Sequence, residues 1–407
     1  MIVAKVCQRT PRRMSSLAVG TVLLVACIAR SEPDRVIVRD SAGVAIVDSR
    51  APLDGEVPRI RVDSIPVVDI SGGGDGRADF GARILVTRFS GGPIVVADRR
   101  EILWFNKSGD WIRSTGREGG GPGEFRQIDL LQVFGDSLLV YDLALRRVSV
   151  FDSTGQLGRV TNMIGVDSVG ASFPLAVLAD GRLLLGSYPT PAPGNGLRRD
   201  SVTLRIGSAS GAFTASIGRF PWVDQIIETG AGGVSMRRVV YARTAFWGTF
   251  DVQVLVATNE RFSFDWYDAG GRLLRSIRRQ WTPSPVTDGD VRAQVEEWLE
   301  SFPPGMEDRK AKARAMFNAG PRPADKPPYS GVVVTETGDV WAQEYDEPGQ
   351  RGRPSVFSVF DRDGRWRTQA TVPRGVTPVV IGTQDLLATW RDPDDAVHVR
   401  VYRFRHE

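Results

Sequence analysis

The chain has 407 residues, of which 42% are hydrophobic and 25% are charged, a balance typical of a globular protein with material for a substantial core. Its net charge of +4 arises in residues 1–26, which contain no acidic residue and four basic ones, namely Lys5, Arg9, Arg12 and Arg13. The rest of the chain is therefore neutral, and no global basic field attracts nucleic acid. Only two cysteines and two histidines are present, which argues against disulfides, Cys-His or Ser-His-Asp hydrolases and His-rich metal sites.

The first elements are a short apolar run, residues 14–26, and the basic residues before it. A membrane span takes about 20 apolar residues, so the shorter run predicts a signal peptide over residues 1–26. Cys27 directly follows Val25 and Ala26, and this pattern resembles the bacterial lipobox. The resemblance implies lipidation at Cys27 and an extracytoplasmic, lipid-anchored protein of the cell envelope. The alternative is an ordinary secretory signal with an incidental cysteine.

Residues 27–61 are expected to form a tether and a β-hairpin. The runs 36–40 and 44–47 are rich in β-branched residues and flank Ser41, Ala42 and Gly43, which is the pattern of two strands around a tight turn. Residues 51–60 have the composition of a linker, and residues 64–70 that of a further strand.

From Phe80 onward the chain repeats a unit of four short strand-like runs. The third run often ends in a Phe-Asp-x-x-Gly pattern, as at Phe151 to Gly155 and Phe360 to Gly364. Six units are counted, and the sixth, starting at Thr377, has only three runs. The strand at 64–70 can supply the missing one and protect the sheet edges. The sequence thus predicts an all-β, six-bladed β-propeller over residues 62–407, closed by an N-terminal strand.

One segment, 288–318, interrupts the β pattern. Val291, Val295, Trp298, Leu299 and Phe302 are spaced as on one face of a helix, and a polar, Ala-rich stretch follows. We expect an inserted helical hairpin whose apolar stripe packs on the propeller, with a partner-binding helix as the alternative.

Residues 116–125, Gly-Arg-Glu-Gly-Gly-Gly-Pro-Gly-Glu-Phe, and the strands after them up to Gly155 resemble NHL-type repeats. Asp40 to Val44, and Trp341 after Gly338, resemble envelope-associated six-bladed propeller lipoproteins. The resemblance covers roughly residues 36–407 and implies the fold, but propellers host many unrelated activities.

The glycine-rich stretch is not a phosphate-binding loop, because Gly-Lys-Ser/Thr opening a helix is missing. Gly121 and Gly123 are instead expected to adopt positive φ angles in a crossing between blades, with Phe125 inserted between them. Asp98 and Asp142 end the second strand of their units, where a carboxylate can accept backbone N–H bonds from the following turn.

Charged residues on the expected channel-lining strands form the candidate site. Arg88 and Arg243 can pair with Asp129 and Glu336 across the channel, since a buried charge is costly unless it is paired. In the alternative, Asp129 and Glu336 hold a hard cation such as Ca²⁺ through oxygen ligands, as in six-bladed lactonase-like enzymes. Only two carboxylates are available for this, so no catalytic residue, cofactor or metal is assigned.

Ligand binding is assigned to the two arginines together with three aromatic residues near strand ends, Trp247, Trp341 and Tyr345. Core packing is the competing interpretation for each aromatic residue. The sequence favours a monomeric binding or scaffolding module for an envelope protein, peptide or glycan over an enzyme. The alternative function is a propeller hydrolase or lyase with a divalent cation in its channel.

Overall fold

The computed structural model describes residues 35–72, 79–163, 166–167, 170–188, 194–230, 233–300, 302, 305–345 and 353–406. The expected signal peptide, Cys27 and the tether up to residue 34 lie outside these residues. Across the described part of the chain, no helix is long and apolar enough to cross a membrane.

The fold is mostly β. The N-terminal strands are β1 Val36–Ser41, β2 Val44–Ser49, β3 Ile60–Val62 and β4 Val68–Ile70. Two four-stranded groups follow, with strands β5 Ile84–Arg88, β6 Ile94–Asp98, β7 Glu101–Phe105, β8 Trp111–Thr115, β9 Ile128–Phe134, β10 Ser137–Asp142, β11 Arg147–Asp152 and β12 Leu157–Asn162. The third group has strands β13 Val166–Asp167, β14 Gly170–Val177, β15 Leu183–Ser187, β16 Gly196–Gly207, β17 Phe213–Gly230 and β18 Gly233–Arg238.

The fourth group consists of β19 Phe246–Phe250, β20 Gln253–Ala257, β21 Ser263–Asp268 and β22 Leu273–Arg279. Two helices follow, α1 Asp288–Leu299 and α2 Glu307–Asn318, both within the segment expected to be helical. The last strands are β23 Gly331–Val334, β24 Val340–Gln343, β25 Ser355–Phe360, β26 Trp366–Val372, β27 Thr377–Ile381, β28 Asp385–Arg391 and β29 Val397–His406.

The antiparallel groups are arranged around their inner strands. The inner strands β5, β9, β14, β19, β23 and β27 contact one another in chain order, and β27 contacts β5 again. The sheets therefore curl into a nearly closed ring, and the architecture is propeller-like. Apolar side chains of adjacent sheets fill the space between them. For example, Phe125 is fully buried with Trp104 from the first group and Leu138 from the second, as the sequence predicts.

The N-terminal segment is built into the last three groups. β2 pairs in parallel with β22, so the expected hairpin extends the fourth sheet instead of preceding the propeller as a separate unit. β3, which the sequence analysis missed, pairs with β26 on one side and β29 on the other. β4 pairs antiparallel with β29 and supplies the missing strand of the last group.

The Phe-Asp-x-x-Gly pattern has a simple physical origin. Oδ1 of Asp152 accepts hydrogen bonds from the backbone N–H groups of Thr154 and Gln156, each at 2.9 Å. These bonds stabilise the turn between β11 and β12. The following glycine, Gly155, has φ +79°, a conformation that favours glycine. The same pair of bonds recurs at Asp268, Asp361 and Asp392, and through the amide oxygen of Asn106.

The glycine-rich crossing differs from the expectation in one detail. Gly123 has φ +75°, whereas Gly121 does not adopt a positive φ. Instead Gly121 N–H donates to Glu124 Oε2 at 2.7 Å. Arg147, which is 7% exposed, donates from Nη1 and Nη2 to the carbonyl oxygens of Gly120 and Gly121, each at 2.9 Å. A buried guanidinium thus holds the crossing in place.

Asp98 and Asp142, at the ends of the second strands of their groups, both accept hydrogen bonds from backbone N–H groups, but from different segments. Asp142 Oδ1 accepts from Leu145 N–H at 2.8 Å in the turn that follows, as expected. Asp142 Oδ2 also accepts from Arg126 N–H at 2.6 Å. Asp98 instead accepts from Gly81 N–H at 3.1 Å, in the segment before β5.

The pairing of β4 with β29 can be tested by truncating a buried side chain. Ile70 is 5% exposed and packs in a cluster formed by the first and last groups. We expect Ile70→Ala to lower the free energy of unfolding by about 2–4 kcal/mol, through lost burial and a residual cavity, measured by urea unfolding. Val67, just before β4, is 52% exposed, and Val67→Ala should change it by less than about 0.5 kcal/mol. Equal effects of the two variants would contradict this role of β4.

Candidate functional site

A cavity of about 590 Å³ opens at the carboxyl ends of the inner strands. All six inner strands or the turns after them line it, so it is the mouth of the central channel. Its walls combine polar side chains, among them Thr87, Gln132, Asp251 and Thr335, with apolar ones, namely Val86, Leu131, Phe134, Val177, Phe250, Val334 and Val379. Ligand sites in proteins are commonly cavities of about 300–1,000 Å³ that combine apolar walls with polar groups, and the volume of this cavity lies in that range.

Arg88, at the end of β5, is the central charged group of the cavity. Its Nη2 donates to Glu336 Oε2 at 3.0 Å and to Asp385 Oδ1 at 2.8 Å, and its side chain is 11% exposed. Burial would lower the pKa of Arg88, but the two carboxylates outweigh it and raise the pKa. The charge of Arg88 is thus fixed, and the three side chains together carry a net negative charge.

Gly382, in the turn after β27, lies directly against this triad. A Cβ at this position would come within 2.5 Å of Arg88 Nη2, 2.8 Å of Asp385 Oδ1 and 2.9 Å of Glu336 Oε2. Any side chain would displace at least one of the three groups. Sequence reasoning missed both Gly382 and Asp385. The only available signal was their position where the first two strands of the sixth unit are connected, Gly382 in the turn and Asp385 at the start of β28.

Gln132 on β9 crosslinks neighbouring inner strands. Its Oε1 accepts from Val177 N–H at 2.9 Å, and its Nε2 donates to Val177 O at 3.2 Å. Thr249 Oγ1 on β19 donates to the same carbonyl oxygen at 3.1 Å. One end of β14 is therefore held by side chains of both neighbouring strands, which makes this part of the cavity wall rigid.

The helical insertion docks at the opposite end of the ring. Val291, Val295 and Leu299 of α1 are buried against Tyr241 and Val286, as the apolar stripe predicts, whereas Trp298 remains 42% exposed. Thr287 caps α1 in a capping box with Asp290.

Ion pairs also hold the insertion. Asp290 binds Lys326 at 3.0 Å, and Glu297 binds Arg374, which precedes β27. The helices therefore lie at the end of the ring where the inner strands begin. The open cavity lies at the end where these strands finish.

The five residues assigned to ligand binding do not form one site. Arg88 lies at the open cavity, whereas Arg243 precedes β19 at the opposite end and binds Asp224 Oδ2 through Nε at 2.8 Å. Tyr345 lies beneath the insertion against Tyr241, where burial raises its pKa to about 12.

The other two aromatic residues of this set are packed between sheets. Trp341 is 2% exposed within the core, in agreement with the core-packing interpretation. Trp247 on β19 is half-buried against a core cluster between the third and fourth groups.

The two carboxylates of the metal interpretation bind different arginines. Asp129 pairs with Arg83 at 2.9 Å, and Glu336 pairs with Arg88 at 3.0 Å, so only the second pair matches the expected pairing across the channel. Among the described residues, no group of three or more His, Cys, Asp or Glu side chains is arranged to hold a metal ion.

No protein-family model matches the sequence, and no curated protein matches it significantly. Among solved structures, a Bacteroides fragilis protein assigned as exported is 13% identical, with a TM-score of 0.47 over 89% of this chain and 99% of its own. A member of the DUF4221 family from Bacteroides vulgatus is 9% identical, with a TM-score of 0.46 over 86% and 99%. A gluconolactonase from Xanthomonas campestris is 14% identical, with a TM-score of 0.36 over 90% and 100%. All three TM-scores lie below 0.5, so fold and function rest on this chain's own geometry.

Replacing Arg88 tests the triad. Arg88→Met leaves two carboxylates facing each other without a cation, and we expect a loss of about 2 kcal/mol in the free energy of unfolding. This is below the 3–5 kcal/mol typical of fully buried pairs because both carboxylates are partly exposed. The triple variant Arg88→Met, Glu336→Gln, Asp385→Asn should recover most of the loss in urea unfolding at neutral pH. If the triple variant is no more stable than Arg88→Met, the loss does not come from the unpaired carboxylates.

The ionisation of Asp290 should make the stability that the insertion contributes depend on pH in the acidic range. Burial alone would raise the pKa of Asp290, but hydrogen bonds from Thr287 and the contact with Lys326 outweigh it and lower the pKa to about 2. A depressed pKa stabilises the fold above the unfolded value of about 3.9, and this contribution is lost as pH falls toward the folded value. We therefore expect the Tm difference between wild type and Asp290→Asn to be full at about pH 5 and to shrink toward pH 2.

The control is Asp308→Asn, at an exposed position in the first turn of α2. Its Tm difference from wild type should be small across the same range. A difference for Asp290→Asn that stayed constant down to pH 2 would show that its carboxylate does not titrate as described.

Proposed function

We propose that the chain is a closed six-bladed β-propeller of the NHL type that is lipid-anchored through Cys27 and extracytoplasmic. Its function is to bind or scaffold another component of the cell envelope, a protein, peptide or glycan, at the open mouth of the channel. The cyclic contacts of the inner strands and the completion of the last group by β4 support the closed ring.

The observation that carries the proposal is that Arg88 and Gln132, two polar residues of the open cavity, are already hydrogen-bonded within the chain. Arg88 is bound by two carboxylates, and Gln132 is bound to the backbone of Val177. These groups are positioned by structural bonds within the chain, beside the apolar side chains of the cavity wall. Such a surface favours recognition of an apolar group with polar surroundings over acid–base chemistry.

The role of the cavity can be tested by filling it. Thr249 lines the cavity, and Thr249→Trp should occupy much of its apolar volume. The matched control is Thr214→Trp, at an exposed position on β17. Each variant and the wild type are extracted gently from their own membranes and studied by native mass spectrometry.

We expect an acylated N-terminus at Cys27 in all three proteins, and a bound protein, peptide or glycan that is lost only with Thr249→Trp. A partner retained equally by Thr249→Trp would overturn the assignment to the channel mouth. An unacylated N-terminus would overturn the anchoring. A retained Ca²⁺ that is lost on Asp129→Ala or Glu336→Ala, without a partner, would favour the hydrolase or lyase instead.

A further inference from the structure

A second cavity, of about 830 Å³, lies at the opposite end of the ring from the channel mouth. One wall is the end of the fourth sheet, where β20 ends and β21 begins. The other wall is formed by the two segments that connect the helical insertion to the ring. We call this space the insertion cleft. It lies between the end of the fourth sheet and the segments that lead into and out of the insertion.

The two connecting segments form a firm wall. Val286 N–H donates to Ala324 O at 2.9 Å, and Lys326 N–H donates to Ser284 O at 2.8 Å. Pro283, Pro323 and Pro327 line the same wall. Because these backbone groups pair with each other, and proline carries no N–H, the wall has little capacity to add a peptide strand by backbone hydrogen bonding.

Two arginines line the cleft without a salt bridge to any described residue. Arg278, near the end of β22, lies opposite Ser263 on β21, and Arg261 lies just before β21. Both residues are exposed and both line the cleft. A planar guanidinium matches a carboxylate in a bidentate geometry, so these are the groups available to an acidic ligand.

The other cations of the cleft are already bound within the fold. Arg279 is 14% exposed, binds Glu344 Oε1 through Nη1 at 2.6 Å and lies 3.9 Å over the Trp366 ring. Lys326 binds Asp290. These residues therefore shape the wall, and a ligand would not need to displace them.

Acidic and aromatic residues also line the cleft. Glu260 is bound to Arg199, and Asp325 is exposed. Asp265 is desolvated, which raises its pKa although Ser276 and Arg278 act in the opposite direction. Trp281 is half-buried, packs in part against a core cluster of the fourth and fifth groups, and lines the same cleft as Arg261 and Arg278.

We propose that the insertion cleft binds an acidic saccharide, a sugar whose carboxylate is held by Arg261 and Arg278 while an apolar ring face packs on Trp281. The volume suits one to a few sugar rings, within the about 300–1,000 Å³ typical of ligand sites. The site is separate from the channel mouth and stands independently of the function proposed there.

The test measures binding of trigalacturonate by isothermal titration calorimetry. The probes for comparison are galactotriose, which lacks the carboxylates, and hexaglutamate, an acidic peptide. We expect saturable binding of trigalacturonate, weaker as salt is raised from about 50 to 500 mM, and little binding of galactotriose. The double variant Arg261→Gln, Arg278→Gln should weaken this binding by about tenfold or more, through lost charge-assisted hydrogen bonds.

The matched control is Arg272→Gln. Arg272 is 73% exposed and lies at the other end of the same sheet, paired with Asp268, so its replacement should leave binding unchanged. Circular dichroism verifies that each variant is folded. The proposal is overturned if trigalacturonate does not bind saturably, if the double variant binds as the wild type does, or if hexaglutamate binds more tightly than trigalacturonate.

Discussion

The ring depends on the two-sided pairing of β29. One side of this strand holds β28, and the other holds β4 and β3 from the N-terminal part of the chain. Asp69 on β4 receives a bond from Arg400 Nε at 3.0 Å and contacts His398 Nδ1 at 2.7 Å. Burial would raise the pKa of Asp69, but these partners outweigh it and keep the pKa below its usual value. Segments more than 300 residues apart must meet to form these contacts, and such non-local pairing is slow to form.

The two ends of the ring differ in what surrounds the central channel. At one end the channel wall ends in a cavity with an arginine shared between two carboxylates. At the other end the helical insertion packs against Tyr241 and Val286, and paired backbone segments and ion pairs fix it there. The same inner strands therefore carry two distinct surfaces, and a change at one need not disturb the other.

The sequence predicted the features that local patterns encode. The strand repeat, the helical stripe of α1 and the placement of Phe125 follow from spacing and hydrophobicity, and the repeated aspartate follows from the bonding needs of one turn. The spare strand at 64–70 could be matched to the incomplete sixth unit because strands have to be paired. Only residues 68–70 of it form β4.

Long-range contacts could not be predicted in the same way. Arg88 meets Glu336, one of the acids expected across the channel, and also Asp385, which the sequence analysis missed, across separations of 248 and 297 residues. Nothing local to Arg88 indicates which acids it binds. β3 is three residues long, too short to show a periodicity. The extension of the third group through β17 and β18 likewise depends on tertiary contacts, including that of Asp224 with Arg243.

The pairing of β1 and β2 with the fourth sheet determines at which end of the ring the described chain begins. β1 starts beside the last residue of β2, where Val36 pairs with Ser49, and Ser49 pairs with Arg279 at the end of β22. Arg35, the first described residue, therefore lies on the side of the ring that carries the helices. The channel mouth and the strands through which the described chain enters the ring therefore lie at opposite ends, so a partner at the mouth would approach without contacting that entry point.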